Sequence, residues 1–347
     1  MLYEVALTIW RGFPPILLVF GTIGNLMTII VLMQRKNRNS SLAKYLSALA
    51  VADLIVLWMA LPRNWLNNGF GVDLRSFSEF VCKVQLFLLC FGSQNSALLV
   101  VLVTVERFLC AWLPLKVKRI CTARNANIVI ISVATSLALL NSHLLFGMGL
   151  TKGNICYPSD ESYAYFLFNT WSLISLFGFS LTPLLVLVVL NTAIIVQILM
   201  VRRKSRTQVA PETVTPVAMA RKIKNGQITA MLIILNIVFM VCVTPLLCFL
   251  IFYTDWVLSH ETNHSDGVLE LVWSIFNALF YTNNAVNFIL YFLSRSAFRK
   301  EAKDILFRCL NSCKAICKRK VHSRENNATI RGAEENVELQ NIGVFDI

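Results

Sequence analysis

Residues 82–118 read CKVQLFLLCFGSQNSALLVVLVTVERFLCAWLPLKVK, and this stretch decides the fold. From Val84 to Val105 it carries no charge. At 1.5 Å of rise per residue, about 20 such residues cross the hydrocarbon core of a bilayer. Glu106 and Arg107 then stand side by side, and a basic exit follows at Lys116 and Lys118. A paired charge at the mouth of a membrane helix marks a functional site, because charge at that depth is costly. The stretch predicts a spanning helix around which the other segments pack.

The rest of the chain repeats the pattern. Its 347 residues are 56% hydrophobic and 15% charged, with a mean hydropathy of +0.63. A soluble domain carries nearer ~25% charged residues. Seven apolar runs fall at roughly 13–33, 42–62, 80–105, 126–148, 164–201, 227–253 and 268–293. Each meets or approaches spanning length. The expected fold is an all-α membrane protein, a seven-transmembrane helix bundle over 13–294 with a short amphipathic eighth helix over 295–308. A short extracellular N-terminus takes 1–12, and a mostly disordered cytoplasmic tail takes 309–347.

The net charge of +13 is read by location. One alternate set of loops holds Arg35, Lys36, Arg38 and Lys44, then Lys116, Lys118, Arg119 and Arg124, then Arg202, Arg203, Lys204, Arg206, Arg221, Lys222 and Lys224. The other set is near neutral or acidic, with Arg63, Arg75, Asp73 and Glu79, then Lys152, Asp160 and Glu161, then Asp255, Glu261, Asp266 and Glu270. Cytoplasmic loops carry the Lys/Arg excess, so the N-terminus is expected outside and the C-terminus in the cytoplasm, at the plasma membrane. This charge orients helices; it does not call for a nucleic-acid partner. Phe13 to Met33 is too long for a cleaved leader and reads as an uncleaved anchor. Of ten cysteines, Cys82 and Cys156 alone lie near the outer face at the edge of or outside the apolar runs, so the topology allows one bridge at most.

Polar residues inside apolar segments are the next signal, since each must find a partner within the bundle. Gly24-Asn25 puts a small residue and an amide in the first segment, and Asp53 puts a carboxylate in the second. A carboxylate at that depth costs ~2.5–3.5 kcal/mol, so Asp53 should face inward, as a structural anchor or as an ion-binding or switching group. Asn141 and His143 end the fourth segment, where a lone histidine is read as structural. Pro183 and Pro245 sit mid-segment and should kink the fifth and sixth helices. The seventh carries Asn283, Asn284, Asn287 and Tyr291.

Beyond the bundle, Phe298, Ala302, Ile305 and Leu306 share one helical face, as in a helix lying on membrane lipid. Cys309, Cys313 and Cys317 recur among basic residues and are either acylation sites or inert thiols. The final Phe345-Asp346-Ile347 could add to a partner's sheet edge. Asn263-His264-Ser265 is a glycosylation sequon, expected on the outer side at Asn263. No phosphate loop, zinc motif or nucleophile elbow is present, so an enzyme reading has no residues to rest on. A transporter or channel would need more intramembrane charge than Asp53 supplies.

Taken in order, these motifs resemble rhodopsin-like (class A) G-protein-coupled receptors over essentially the whole chain. The match rests on Gly24-Asn25, Leu49-Ala50-x-Ala52-Asp53, and Cys82 ahead of Glu106-Arg107-Phe108. It continues through Pro183, Phe239-x-x-Cys242-x-x-Pro245, Asn287-x-x-x-Tyr291 and the Phe298 helix. The resemblance implies a disulfide between Cys82 and Cys156. It implies that Arg107 is held at rest by Glu106 and meets a heterotrimeric G protein when freed, with Tyr291 swinging in to support it. Phe239, Pro245, Pro183 and Asn287 would belong to the same switch. Asp53, Ser96, Asn283 and Asn287 match a polar cluster that can hold a structural sodium ion, with no other cofactor implied. Arrestin is a further implied partner.

The departures are specific. Phe108 replaces the usual tyrosine, Val243 the aromatic toggle, Phe288 the proline of the seventh segment, and Asn191 the tyrosine of the fifth. They allow a second reading, a divergent receptor that binds ligand but couples weakly. With Phe288 in place, any kink in the seventh segment must come from elsewhere. No lysine in that segment excludes a retinal Schiff base, and Leu89 stands where amine receptors place a carboxylate. Arg63, Asn64, Gln85, Trp273, Asn277 and Tyr281, with Trp65, would wall the outer ligand pocket beneath an acidic rim. Aromatic and amide walls under acids suit a peptide. Leu61-Pro62-x-x-Trp65 and Glu106-Arg107-Phe108 are similar to invertebrate FMRFamide-receptor-like neuropeptide receptors.

Overall fold

The computed structural model describes residues 1–207, 216–259, 267–294, 296–308 and 311. Among them seven long helices carry the chain: α1 (Leu2–Leu32), α2 (Ser41–Phe70), α3 (Glu79–Trp112), α4 (Ala123–Asn141), α5 (Thr182–Thr207), α6 (Pro216–Ser259) and α7 (Gly267–Ser294). A shorter helix, α8, follows over 296–308. Six helical stretches among the described residues are long and apolar enough to cross a membrane. α7 is less apolar because Asn277, Asn283, Asn284 and Asn287 interrupt it, yet it packs within the bundle against α1, α2 and α6.

α1 packs on α2 and α7, α2 on α3, α3 on α5, and α6 on α7. The core between α1, α2 and α7 contains Leu17, Val56, Leu57, Ala60, Leu61, Tyr281 and Ala285. Gly24 lets α1 approach α7 closely, since a Cβ there would meet the Phe288 Cβ at 3.0 Å. On the opposite faces Phe20, Ile131, Leu139, Leu185 and Val189 are exposed, as suits helices surrounded by hydrocarbon. α3 and α4 begin on side-chain caps, Ser78 accepting from the Val81 amide and Thr122 from the Asn125 amide. α2 ends on Gly71 at φ +73°, a left-handed turn that glycine adopts without steric cost.

The first helix is longer than its apolar run. It starts at Leu2 and passes through Pro14 and Pro15, and Ala6 and Trp10 are buried in it. Pro15 has no N–H to offer the Arg11 carbonyl four residues back. The Trp65 indole of α2 takes that carbonyl instead, at 2.9 Å. Arg11 in turn donates to the Gly69 carbonyl at 2.9 Å, a cation set at the C-terminal end of α2, and lies over the Phe70 ring. Ala6, Trp10 and Arg11 thus tie the start of α1 into the bundle, and Trp65 faces α1.

Before α5 the helix widens. Phe166–Trp171 and Phe177–Leu181 are π-helical, on either side of a normal turn at Ser172–Leu176. The second wide turn ends just ahead of Pro183, whose ring would clash with the carbonyl of a regular preceding turn. α6 continues through Pro245, and α7 runs unbroken through Phe288, which keeps the backbone N–H that proline would remove. The chain divides by its internal contacts into Met1–Ser296 and Ala297–Ile347. Within the second unit Phe298 and Ala302 are buried and Leu306 is exposed.

Candidate functional site

At one end of the bundle Cys82 and Cys156 form a disulfide, with Cα atoms 5.6 Å apart. It joins α3 to a hairpin of β1 (Met148–Leu150) and β2 (Cys156–Pro158), antiparallel with Leu150 opposite Cys156. The hairpin turns at Asn154, φ 56°, a left-handed position that asparagine tolerates. Beside it Asp73 accepts from Arg75 at 2.7 Å and meets Arg63 at 3.5 Å. Partial burial pushes the Asp73 carboxyl up, but the hydrogen bonds and charge of Arg75, with Arg63 behind, outweigh it and hold it at about 2.

The six residues expected to wall an outer pocket are engaged with each other or with backbone. Asn64 donates to the Tyr281 hydroxyl at 3.0 Å, Gln85 to the Met59 carbonyl at 2.7 Å, and Asn277 to the Trp273 carbonyl at 2.8 Å. Arg63 faces Asp73 and Asn64, and Trp273 lies against Phe249. One cavity lies elsewhere, and none of the six lines it, although Tyr281 lines a much smaller space with Trp10 and Leu61. The first has a volume of about 190 Å³. α3 contributes Leu89, Cys90, Ser93, Gln94, Ser96 and Ala97, and the π-helical entry to α5 contributes Ser175, Phe179 and Ser180. Phe239 and Val243 of α6 close one wall, and Phe280, Asn283 and Asn284 of α7 another. At the outer end these polar side chains pair with one another or with backbone, and free space lies beside Val243.

Behind the cavity Asp53 is fully buried. It accepts from Ser96 at 2.7 Å, Asn284 at 2.8 Å and Asn287 at 2.6 Å, so α2, α3 and α7 meet on one carboxylate. Asn25 of α1 donates to the Asn284 carbonyl at 2.9 Å and extends the tie. Asn284 takes the contact expected of Asn283, which instead lines the cavity. Adjacent helical residues point about 100° apart, so only one of the two can reach α2. As a sodium site the donors fit in kind: a carboxylate, a hydroxyl and amide oxygens suit a hard cation. In the orientation present, both amides give N–H groups to Asp53, and holding an ion would require them to present oxygen.

At the far end of α3 the Arg107 guanidinium donates to Glu106 at 3.4 Å, with side chains 13% and 6% exposed. This is one contact between nearly desolvated charges. The second Glu106 oxygen and Arg107 Nε have no hydrogen-bond partner among the described residues. Ser41 at the start of α2 donates to the Cys121 carbonyl at 3.2 Å and ties the loop after α3 in place. Burial pushes the Cys121 thiol up to about 11. Tyr291 is buried in the same bundle.

Between Asp53 and Arg107 lies a cluster that the motifs did not include. Asn236 of α6 donates to Asn191 of α5 at 2.9 Å and to Thr104 of α3 at 3.0 Å. All three are buried. The signal in the sequence was an isolated asparagine inside the apolar run of α6. Nearer the disulfide, Asn141 donates to Gln94 at 2.7 Å and links α4 to α3. His143 packs against Trp171 with ring centroids 4.4 Å apart, as a structural histidine does. Cys309, Cys313 and Cys317 and the sequon at Asn263 lie outside the described residues, as do residues 345–347.

A family profile described as the seven-transmembrane receptor (rhodopsin family) matches residues 24–291. Among curated proteins the chain is similar to neuromedin U receptor homolog nmur-2 of Caenorhabditis elegans, 27% identical over 82% of this chain and 77% of the relative. It is similar to galanin receptor 2b of Danio rerio, 24% identical over 92% of this chain and 79% of the relative. It is also similar to neurotensin receptor type 1 of Mus musculus, 25% identical over 82% of this chain and 72% of the relative.

Proposed function

The chain belongs to the rhodopsin family of seven-transmembrane receptors, and from that premise we propose that it binds an extracellular peptide and activates a heterotrimeric G protein. Its family is one of receptors, not enzymes. The observation that carries the peptide reading is the agreement of its relatives. Receptors for neuromedin U, galanin and neurotensin each align with four-fifths or more of the chain. The cavity walled by α3, α6, α7 and the entry to α5 supports it with space for part of a ligand.

The switch follows from the polar layers. Ligand in the cavity repacks α5, α6 and α7 around Pro183 and Pro245, next to Phe239 and Val243. The Asp53 shell relaxes with α7, Glu106 releases Arg107, and a G-protein helix enters at that end with Tyr291 supporting the freed arginine. A ligand drives this only by binding the open state better, about 5.5 kcal/mol better for a shift from 1:99 to 99:1. A sodium ion at Asp53, with its amides turned, would favour the resting state. The Lys/Arg-rich loops support a cytoplasmic Arg107 end in a plasma-membrane receptor, with α8 on the lipid and arrestin as a later partner. The narrower likeness to FMRFamide-receptor-like proteins rests on Leu61-Pro62-x-x-Trp65 and Glu106-Arg107-Phe108 alone.

The test is a neuropeptide library applied to cells expressing the chain, read through a promiscuous G protein. A peptide that drives nucleotide exchange in a saturable way supports the reading. Exchange that no peptide changes, with the receptor at the surface, overturns it and favours the weakly coupled alternative.

A further inference from the structure

The floor of the cavity is a consequence of Val243. A side chain of that size, 6% exposed and packed beside Phe239, leaves the space between α3, α6 and α7 open down to Asn283 and Asn284. The volume of about 190 Å³ compares with ~150 Å³ for a cavity that holds benzene, and with ~30 Å³ for each water in the liquid. It admits a chemical group, not only a few waters.

Its lining chooses the chemistry. The polar members are hydroxyls and amides, Ser93, Ser175, Gln94 and Asn283 among them, and no charged side chain among the described residues lines it. Asn283 is 6% exposed, and neither its amide nor the Ser93 hydroxyl has a hydrogen-bond partner among the described residues. Gln94 has its oxygen taken by Asn141, which leaves its N–H groups to donate. An ammonium would find no counter-ion in the lining, because Asp53 stands behind Ser96 and Asn284 with both oxygens already accepting. A carboxylate would find no cation. Burying either ion unpaired is far costlier than burying a neutral group whose hydrogen bonds are met.

We propose that the cavity floor beneath Val243 is a subsite for an uncharged group that both donates and accepts hydrogen bonds, an amide in chemical class, presented on a small apolar body. Asn283 and Ser93 bond the amide, and Phe239 and Val243 pack its apolar part. This deepens the peptide reading and rests on it, since the group would be carried by the ligand of that same site. Occupancy there would press directly on the residues beside the Asp53 shell, without an aromatic toggle between.

The test uses the purified full-length receptor and a matched trio of probes: isobutyramide, isobutyrate and isobutylamine. Isobutyramide should raise the thermal midpoint in a saturable way, and the two ions should not. Val243→Trp fills the space and should abolish the shift. Asn283→Ala removes one partner without filling it, and should raise the half-saturating concentration roughly three- to tenfold, the loss of one hydrogen bond. Each variant's midpoint without probe checks folding, and Asn283→Ala keeps the test alive if Val243→Trp fails to fold. No shift with the amide, a shift that survives both variants, or a shift with either ion overturns the proposal. The readout involves no signalling, so this subsite can stand while the peptide screen fails, and it can fail while a peptide is found.

Discussion

Asn236 Nδ2 lies 2.9 Å from Asn191 Oδ1, and this bond holds α6 to α5 at a level where the rest of their packing is sparse. The same Nδ2 reaches Thr104 of α3 at 3.0 Å, so one amide closes three helices in the half of the bundle nearer Arg107. An opening of α6 must break it. Each buried hydrogen bond is worth about 0.5–1.5 kcal/mol, and only the part absent from the open state counts toward the switch. Asn236→Leu should therefore raise ligand-free nucleotide exchange, roughly fivefold or more for about 1 kcal/mol. Basal exchange at or below that of the unaltered receptor, at equal surface amount, would show that the cluster does not hold the resting state.

Arg107 makes a single 3.4 Å contact with Glu106. A side chain held this loosely can be released at small cost. Arg107→Ala should abolish G-protein exchange, basal and peptide-driven, while the affinity for a peptide recovered in the screen is unchanged. Glu106→Gln removes the attraction and keeps the shape, so it should raise basal exchange. Full signalling by Arg107→Ala would remove the assigned role.

Asp53 accepts from Asn284 and Asn287, and an ion would have to turn both amides. If sodium does so, the thermal midpoint of the receptor should rise with sodium chloride but not with N-methylglucamine chloride at equal ionic strength. The gain would be about 1.4 kcal/mol at ten times the dissociation constant. Asp53→Asn should respond equally to both salts. Equal response of the unaltered receptor would mean that the carboxylate serves only as a knot for α2, α3 and α7.

The helices were legible because a bilayer demands long apolar runs, and the charged mouth of α3 was legible because nothing apolar explains it. The disulfide that the resemblance implied is present, with Cys82 in the first turn of α3 and Cys156 in the loop hairpin before α5. Three things were hidden. The extension of α1 to Leu2 is written in the buried spacing Ala6, Trp10, Pro14, Leu17, but two successive prolines mask it. Asn283 and Asn284 are neighbours in sequence, and only the rotation of α7 decides which meets Asp53. The third is how the outer polar residues pair at rest. Whether Asn64 bonds a ligand or Tyr281 depends on a pairing across 217 positions, which no local pattern reports.

Asp73 gives a pH test outside the spanning segments. Its carboxyl is held at about 2, below the ordinary 3.8, by Arg75 and Arg63 against the opposing effect of partial burial. A carboxyl whose folded value is depressed adds stability that is present in full above its unfolded value. That stability is lost as pH falls through the folded value. Between about pH 4 and pH 2 the receptor should lose thermal stability as the 2.7 Å contact to Arg75 is protonated away. Asp73→Asn should start lower at neutral pH and show a smaller loss across that window. With a quarter of the Asp73 side chain exposed, solvent screening keeps the difference small. A variant with the same acid profile as the unaltered receptor would mean that Arg63 and Arg75 hold this edge of the bundle without their shared carboxylate.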